Sequence, residues 1–157
     1  MKNSKKMYEY LNQDIDCPTY LFHGSPCKLS KISPRLSHDS KGNKDNISEA
    51  VFLFPSFLKA TPYAFKDTIK ESSEGLDWSF DIPNTDSYPL MIMENVCFSP
   101  DMIGYIYVFK NDERFVKDEN SYQYKCYQEL DYDDVIEVSY RDFAEYYEVK
   151  NNKSKLR

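Results

Sequence analysis

Hydrophobic and aromatic residues fall into short runs along this chain, separated by polar or proline-containing breaks. The run at 19–23 predicts a buried strand, and the continuous run at 50–54 predicts a strand buried on both faces. The run at 121–127 alternates strictly, which is typical of a strand with one buried face. Other strand-length runs lie at 88–96, 104–110 and 135–140. Strands are therefore the dominant predicted element.

Two segments show helical spacing instead. The polar segment 1–16 predicts a short amphipathic helix, with apolar positions at Met7, Tyr8, Leu11 and Ile15. The segment 57–71 follows a proline break and predicts a longer helix, with Pro62 in its first turn. Its candidate inner positions are Ala60, Ala64, Phe65 and Ile69. A short helix is predicted at 141–147, and the tail 150–157 is expected to fray.

The order of these elements predicts an α+β fold, because the strands do not alternate regularly with helices. We expect a split, mostly antiparallel β-sheet with few helices packed on it. The length of 157 residues fits a single domain spanning 1–157. The most polar stretch, 35–49, predicts a surface loop, and a loop of this length is often a lid over a site. The sequence does not decide whether the segments 78–82 and 115–119 form strands or loops.

Composition narrows the function classes. The net charge of −6 argues against a general nucleic-acid binder, which normally presents a basic face. The four cysteines lie far apart without a C-x-x-C pair, and only two histidines are present, so no metal site is expected. No apolar segment has the length of a signal-peptide core or a membrane span, so no membrane partner is expected. Free thiols in the cytoplasm are the expected state.

The tripeptide His23-Gly24-Ser25 closes the first predicted strand. The Gly-Ser-Pro punctuation predicts that His23 lies at the strand terminus, where side chains emerge from a core into a cleft. An imidazole beside a glycine can grip a polar small molecule, because the glycine lets a ligand approach the backbone. The alternative is an ordinary strand-end histidine without a ligand.

The segments 21–25 (LFHGS) and 51–63 (VFLFPSFLKATPY) together resemble the ADP-ribosyltransferase fold, in its diphtheria-toxin and poly(ADP-ribose) polymerase branch. Members of that branch have a His-Gly-Ser or His-Gly-Thr at the end of a first core strand. They also have two tyrosines eleven residues apart, on a later strand and on the helix after it. This chain keeps the tripeptide and the interval, from Phe52 to Tyr63, with Phe in place of the first Tyr.

The resemblance implies an ADP-ribosyltransferase-like fold that uses NAD as its substrate and no metal. It implies that His23 bonds a ribose hydroxyl on the adenosine side, while Gly24 offers its backbone N–H and C=O to the nicotinamide amide. Ser25 would add a hydroxyl bond. The nicotinamide ring would lie between aromatic faces, with Tyr63 stacked on it and Phe52 supplying a second ring.

The third motif of the family is a glutamate that opens a late strand and bonds the nicotinamide-ribose 2′-hydroxyl. It stabilises the positive charge that develops as the glycosidic bond breaks. In this chain the position falls at Gln123, which keeps the hydrogen-bonding reach and loses the charge. Glu129 is the candidate replacement if the register differs, although on a straight strand it would lie roughly 20 Å away. Gln123 can also be an ordinary solvent-facing residue of an alternating strand.

Two residues of the polar loop complete the candidates. Arg35 follows Pro34 at the start of the loop and is a candidate phosphate clamp, against the alternative of an ordinary surface arginine. His38 lies further into the loop and is expected to be solvated.

Three functions stay open from the sequence. The first is an NAD-dependent ADP-ribosyltransferase with an unknown acceptor, such as a target protein. The second is a binding module for NAD, ADP-ribose or a related nucleotide, and the third is a protein-interaction domain. An RNA 2′-phosphotransferase shares the broad fold, but the acidic balance offers few basic residues for its phosphate. The richness in Lys, Asn, Tyr and Ile points to a bacterial or phage source, where a small transferase would suit a toxin or effector role.

Overall fold

The computed structural model describes residues 4–36, 49–83, 88–119 and 122–151. Within these ranges the helices are α1 (Ser4–Asn12), α2 (Phe57–Ser72) and α3 (Tyr140–Phe143), and a 3-10 turn (Ala144–Tyr146) continues the last one. The strands are β1 (Tyr20–Ser25), β2 (Arg35–Leu36), β3 (Glu49–Leu53), β4 (Ser79–Asp81), β5 (Met91–Glu94), β6 (Ile103–Lys110), β7 (Val116–Lys117), β8 (Tyr124–Cys126), β9 (Asp134–Ser139) and β10 (Tyr147–Lys150).

The described strands form three small sheets. In the first sheet, β6 is central and pairs antiparallel with β1 and β9. The second has the order β2-β3-β8-β7 and is antiparallel throughout. The third has the order β10-β5-β4, in which β10 runs parallel to β5. Few helices and mostly antiparallel strands confirm the predicted α+β class.

One isolated bridge links β1 to the end of β3 within the described residues. Phe22 of β1 and Phe54 exchange both backbone hydrogen bonds, each at 2.8 Å. The bridge is isolated, so the ladder between β1 and β3 does not continue to Gly24 and Phe52, while β1 stays paired with β6 and β3 with β8. We name this interruption of the pairing, formed by His23 and Gly24 on β1 and Phe52 on β3, the β1–β3 fork.

Side chains of the strands alternate between two hydrophobic clusters, because successive residues of a strand point to opposite faces. Phe22 and Ile106 belong to the first cluster, whereas their chain neighbours Leu21 and Tyr107 belong to the second. Helix α2 packs against β1 and β6 on the side of the first cluster. The inner positions predicted for this helix are confirmed as buried: Ala60, Ala64, Phe65 and Ile69.

Helix α2 begins after Ser56, whose hydroxyl accepts a hydrogen bond from the Lys59 N–H at 3.2 Å and caps the first turn. Pro62 is the sixth residue of the helix, so its predicted place in the first turn is wrong. Proline has no N–H to bond the carbonyl of Leu58 one turn earlier. The Thr61 hydroxyl donates to that carbonyl at 2.7 Å, which satisfies the carbonyl and lets the helix continue.

Two glycines let α2 lie directly on the first sheet. A methyl group at Gly104 would come within 2.8 Å of the Ala64 Cβ, and one at Gly24 within 2.9 Å of the Ala64 backbone nitrogen. Protein interiors are close-packed and do not accommodate contacts this short. Helix packing therefore requires glycine at both positions.

Four further predictions need correction. β1 extends to Ser25, so His23 lies within the strand and not at its terminus. The buried residues of α1 are Met7 and Tyr10, whereas Tyr8 and Leu11 are exposed. The strand predicted at 121–127 is shorter, and its three residues 124–126 are all buried, because neighbours on both faces cover them. β10 follows the predicted terminal helix where no strand is expected, since its parallel pairing with β5 is a long-range contact.

Candidate functional site

His23 connects the two branches of the β1–β3 fork. Its Nδ1 lies 2.8 Å from the carbonyl oxygen of Phe52. Because a carbonyl can only accept a hydrogen bond, Nδ1 is assigned the proton in this contact. The half-buried ring lies 6.5 Å from the ring of Tyr107, its cross-strand partner on β6. His23 therefore faces the second cluster, on the side of the sheet opposite to α2.

Gly24 directs its peptide groups toward β3 at the fork. In an antiparallel strand, the N–H and C=O of alternate residues point to the same side. Phe22 directs its own pair toward Phe54, so Gly24, two residues later, directs its pair the same way. The ladder formed by Phe22 and Phe54 does not extend to Gly24 and Phe52. The fork thus brings a donor and an acceptor of one residue next to the imidazole of His23.

The aromatic residues predicted to hold a ring lie on the α2 side. The ring of Tyr63, on α2, stacks on the ring of Phe54, with centroids 5.0 Å apart and planes inclined by 21°. Phe52 shares the face of Phe54 because the two residues are separated by two positions. Burial raises the pKa of Tyr63 to about 12, so its hydroxyl stays protonated at neutral pH. Phe52 and Tyr63 therefore share one side of the sheet, and His23 lies on the other.

Gln123 immediately precedes β8 and contacts Asp118, the residue that follows β7. Its Nε2 donates to Asp118 Oδ2 at 2.7 Å, and its backbone carbonyl accepts from the Asp118 N–H at 3.0 Å. Lys125 completes the group, with Nζ 3.4 Å from Asp118 Oδ1 and 5.7 Å from the centroid of the Phe52 ring. We name Asp118, Gln123 and Lys125 the carboxylate cluster. The Lys125 and Asp118 side chains are 7% and 12% exposed, so the ion pair is largely buried.

Glu129 lies on the surface in a different environment. Its carboxylate accepts from the Ser33 hydroxyl at 3.0 Å and pairs with Lys31 at 3.6 Å. These contacts flank the backbone bridge between Ile32 and Leu130. Glu129 thus lies in a solvent-exposed ion pair that fastens the segment after β1.

A cleft of about 580 Å³ opens beyond the end of β1, between residues 25–27, the C-terminal half of α2 and Trp78. Among the predicted site residues described here, Ser25 lines it, and the Ser25 hydroxyl accepts from the Cys27 N–H at 3.2 Å. The charged lining residues are Asp67, Lys70, Glu71 and Glu74. Their net negative charge disfavours a pyrophosphate in this cleft.

The polar-loop candidates are only partly described. The backbone of Arg35 opens β2 and pairs with Ala50. The phosphate-clamp prediction concerns the Arg35 side chain, which lies outside the described part of the structure, as does His38.

Sequence reasoning missed Asp118 and Lys125. A signal for both was present, because alternation places Lys125 on the same face of its strand as Gln123. A lysine on a covered strand face needs an anion, since a buried charge is retained only when it is paired. The carboxylates that end the preceding segment, Asp118 and Glu119, are the nearest upstream candidates.

Metal-binding clusters and membrane-spanning helices are both absent from the described ranges. No group of His, Cys, Asp and Glu side chains there is arranged to hold a metal ion. No helix in the same ranges combines the length and apolar character needed to cross a membrane. Cys17, Cys27 and Cys97 are exposed free thiols, and Cys126 is a buried one.

Comparison with protein-family models, with curated proteins and with solved structures finds no match to this chain.

Proposed function

We propose that this chain is an NAD-dependent ADP-ribosyltransferase that transfers ADP-ribose to an acceptor yet to be identified. The β1–β3 fork is the observation that supports this function best. There, Gly24 directs the N–H and C=O of a single residue away from β6, beside His23. A carboxamide has one acceptor and two donor hydrogens on a planar group, so it can bond both atoms at once. Nicotinamide is the part of NAD that contains such a group.

The aromatic residues support a ring next to that carboxamide. Phe52 and Tyr63 are both half-buried and lie on one side of the sheet, and Tyr63 is anchored by its stacking on Phe54. The nicotinamide ring of NAD is cationic, and aromatic faces attract cations. A Tyr63 hydroxyl that keeps its proton at neutral pH offers a neutral ring for this contact.

The reaction breaks the bond between the nicotinamide nitrogen and ribose C1′. The electron pair of this bond goes to the nicotinamide nitrogen, which loses its positive charge, while positive charge develops on the ribose. The nucleophile of the acceptor then forms the new bond to C1′ and releases a proton. In this proposal Gly24 orients the leaving group, and His23 holds the adenosine ribose through Nε2, because Nδ1 is engaged by Phe52.

A second candidate function is a binding module for NAD or ADP-ribose without turnover. The observation in its favour is Gln123, an uncharged side chain at the position where the resemblance implies a glutamate. Loss of one preorganised electrostatic group typically lowers a rate by about 10² to 10³. Binding could then persist while transfer becomes slow.

Titration of NAD by calorimetry, followed by a nicotinamide-release assay, tests both candidates. We expect the wild-type chain to bind NAD and His23→Ala to bind it about tenfold more weakly, because one hydrogen bond is lost. Tyr8→Ala, on the exposed face of α1, is the matched control and should bind like the wild type. Absence of NAD binding by the wild type would contradict both nucleotide functions, and binding without nicotinamide release would select the module.

A further inference from the structure

We propose that Asp118 supplies the catalytic carboxylate that Gln123 lacks, an inference that rests on the proposed transferase function. Asp118 belongs to a different strand segment from Gln123 and is brought to it by the β7–β8 pairing. In this arrangement Gln123 and Lys125 are positioning residues, which hold the carboxylate and do not themselves act on the substrate.

The pairing of β7 with β8 sets the position of Asp118. Val116 lies opposite Lys125 and Lys117 lies opposite Tyr124, so Asp118 is the next residue along and lies opposite Gln123. The 3.0 Å backbone hydrogen bond from Asp118 to Gln123 extends this register by one pair. The position of the Asp118 backbone is therefore determined by strand pairing.

Both carboxylate oxygens of Asp118 are oriented by a cluster partner. Oδ2 accepts from Gln123 Nε2 at 2.7 Å, and Oδ1 lies 3.4 Å from Lys125 Nζ. The cluster thus holds a carboxylate in a fixed orientation, whereas Gln123 alone could present only an amide.

The Asp118 carboxylate lies on the same side of the sheet as Phe52 and Tyr63, the residues proposed to hold the nicotinamide ring. Lys125 is the cross-strand partner of Phe52 and shares its face, with Nζ 5.7 Å from the ring centroid. Asp118 contacts the same ammonium group, so it neighbours Phe52 through Lys125. A ribose attached to a ring stacked near Phe52 would be within the reach of this cluster.

Burial of the ion pair is difficult to explain by stability alone. The Lys125 and Asp118 side chains are 7% and 12% exposed, whereas those of Arg114 and Asp112 are 37% and 36% exposed. Desolvation of a buried pair can exceed the attraction it gains, and apolar residues of similar volume are often as stable. A role in the reaction explains why charged groups occupy this position.

The proposed step has a simple balance. As the C1′–N bond breaks and its electron pair leaves with nicotinamide, Asp118 accepts a hydrogen bond from the ribose 2′-hydroxyl and stabilises the positive charge near C1′. Water acts as the nucleophile in the assay, forms the C1′–O bond and releases one proton. The products are nicotinamide, ADP-ribose and that proton, and no oxidant or reductant is needed.

The test compares Asp118→Asn with the wild type in NAD binding and in nicotinamide release. Asn keeps the shape and one acceptor oxygen, so we expect the affinity for NAD to change less than about threefold while kcat falls by about 100-fold or more. Asp112→Asn alters an aspartate of a more exposed ion pair and should leave both quantities unchanged.

Thermal unfolding of each variant separates loss of fold from loss of chemistry. If Asp118→Asn does not fold, Gln123→Met replaces it, since this change removes the donor to Oδ2 and leaves Asp118 in place. We expect Gln123→Met to lower kcat by about tenfold at unchanged affinity, because one orienting hydrogen bond is lost.

The outcomes distinguish this inference from the proposed function. An unchanged kcat in a folded Asp118→Asn variant, or in Gln123→Met where it replaces that variant, would overturn the inference and leave the transferase intact. NAD binding by the wild type without nicotinamide release would also overturn it and favour the binding module. No NAD binding by the wild type would remove both proposals.

Discussion

The two sides of β1 are built on opposite principles. On the α2 side, Gly24 and Gly104 let the helix backbone lie against the sheet, and the neighbouring cluster is apolar. On the edge toward β3, the pairing with that strand ends after Phe22, and polar groups follow there and on the strands beyond β3. His23 is bonded to the Phe52 carbonyl, and Lys125 of β8 is paired with Asp118. We name the face of β1 beneath α2 the closed side, and the edge toward β3 with the strands beyond it the open side.

The difference separates close apolar packing from the pairing of polar groups. Burial of apolar area stabilises the closed side, where the helix backbone lies too close to Gly24 and Gly104 to admit even a methyl group. Polar groups on the open side lose hydration when they are covered, and their pairing offsets this loss only in part. The proposed site uses polar groups of the open side, His23 and the carboxylate cluster.

The largest expected effect concerns the buried charge on the open side. Lys125→Met leaves Asp118 covered without its cation, so the free energy of unfolding should fall by about 3 kcal/mol or more. Arg114→Met breaks the more exposed pair with Asp112 and should cost less than about 1 kcal/mol. Urea unfolding of both variants measures the two values. Equal, small losses would show that Lys125 is not a buried partner and would weaken the comparison.

The second effect concerns the closed side. Gly104→Ala introduces a methyl group within 2.8 Å of the Ala64 Cβ, so unfolding should become easier by about 1–3 kcal/mol. Gly75→Ala is the control, since Gly75 has open space around it but a φ of +88°, and it should cost about 1 kcal/mol through backbone strain alone. A Gly104→Ala variant as stable as the wild type would mean that α2 does not lie tightly on β6.

The smallest effect at neutral pH is titration of Tyr63. Its pKa is raised from 10.0 to about 12 by burial, so the folded state holds this proton more tightly than the unfolded chain does. The stabilisation is complete below pH 10 and is lost as the pH rises toward 12. Tyr63→Phe should reduce the decline of unfolding free energy across this range, measured by urea unfolding at several pH values. An unchanged slope would place Tyr63 in a more hydrated position.

Local pattern was sufficient for part of the fold. The helix at 57–71 and its four inner positions follow from residues spaced by one turn, and β6 follows from a run of aromatic and branched residues. Pro62 was misplaced because its missing hydrogen bond is compensated by Thr61, a contact that pattern does not reveal. The strand β10 was missed because its partner β5 lies more than fifty residues earlier.

The candidate site divides in the same way. Two short sequence motifs are enough to select His23, Gly24, Phe52 and Tyr63 as candidates. They do not reveal which face of the sheet each side chain occupies. In the structure His23 turns toward the second cluster, while Phe52 and Tyr63 share the α2 side. The sequence makes Glu129 a candidate replacement for the family glutamate, but the structure places it in a surface ion pair with Lys31.

By itself, the sequence determined the α+β class, the inner face of α2 and the tripeptide that occupies the fork, because hydrophobic periodicity and turn chemistry are local properties. The tertiary structure alone decided that the pairing of β1 with β3 ends before Gly24 and that Asp118 lies against Gln123 and Lys125. The physical reason is strand register. It is set by pairing between distant segments, and a shift of one residue would turn Asp118 and Lys125 to the other face.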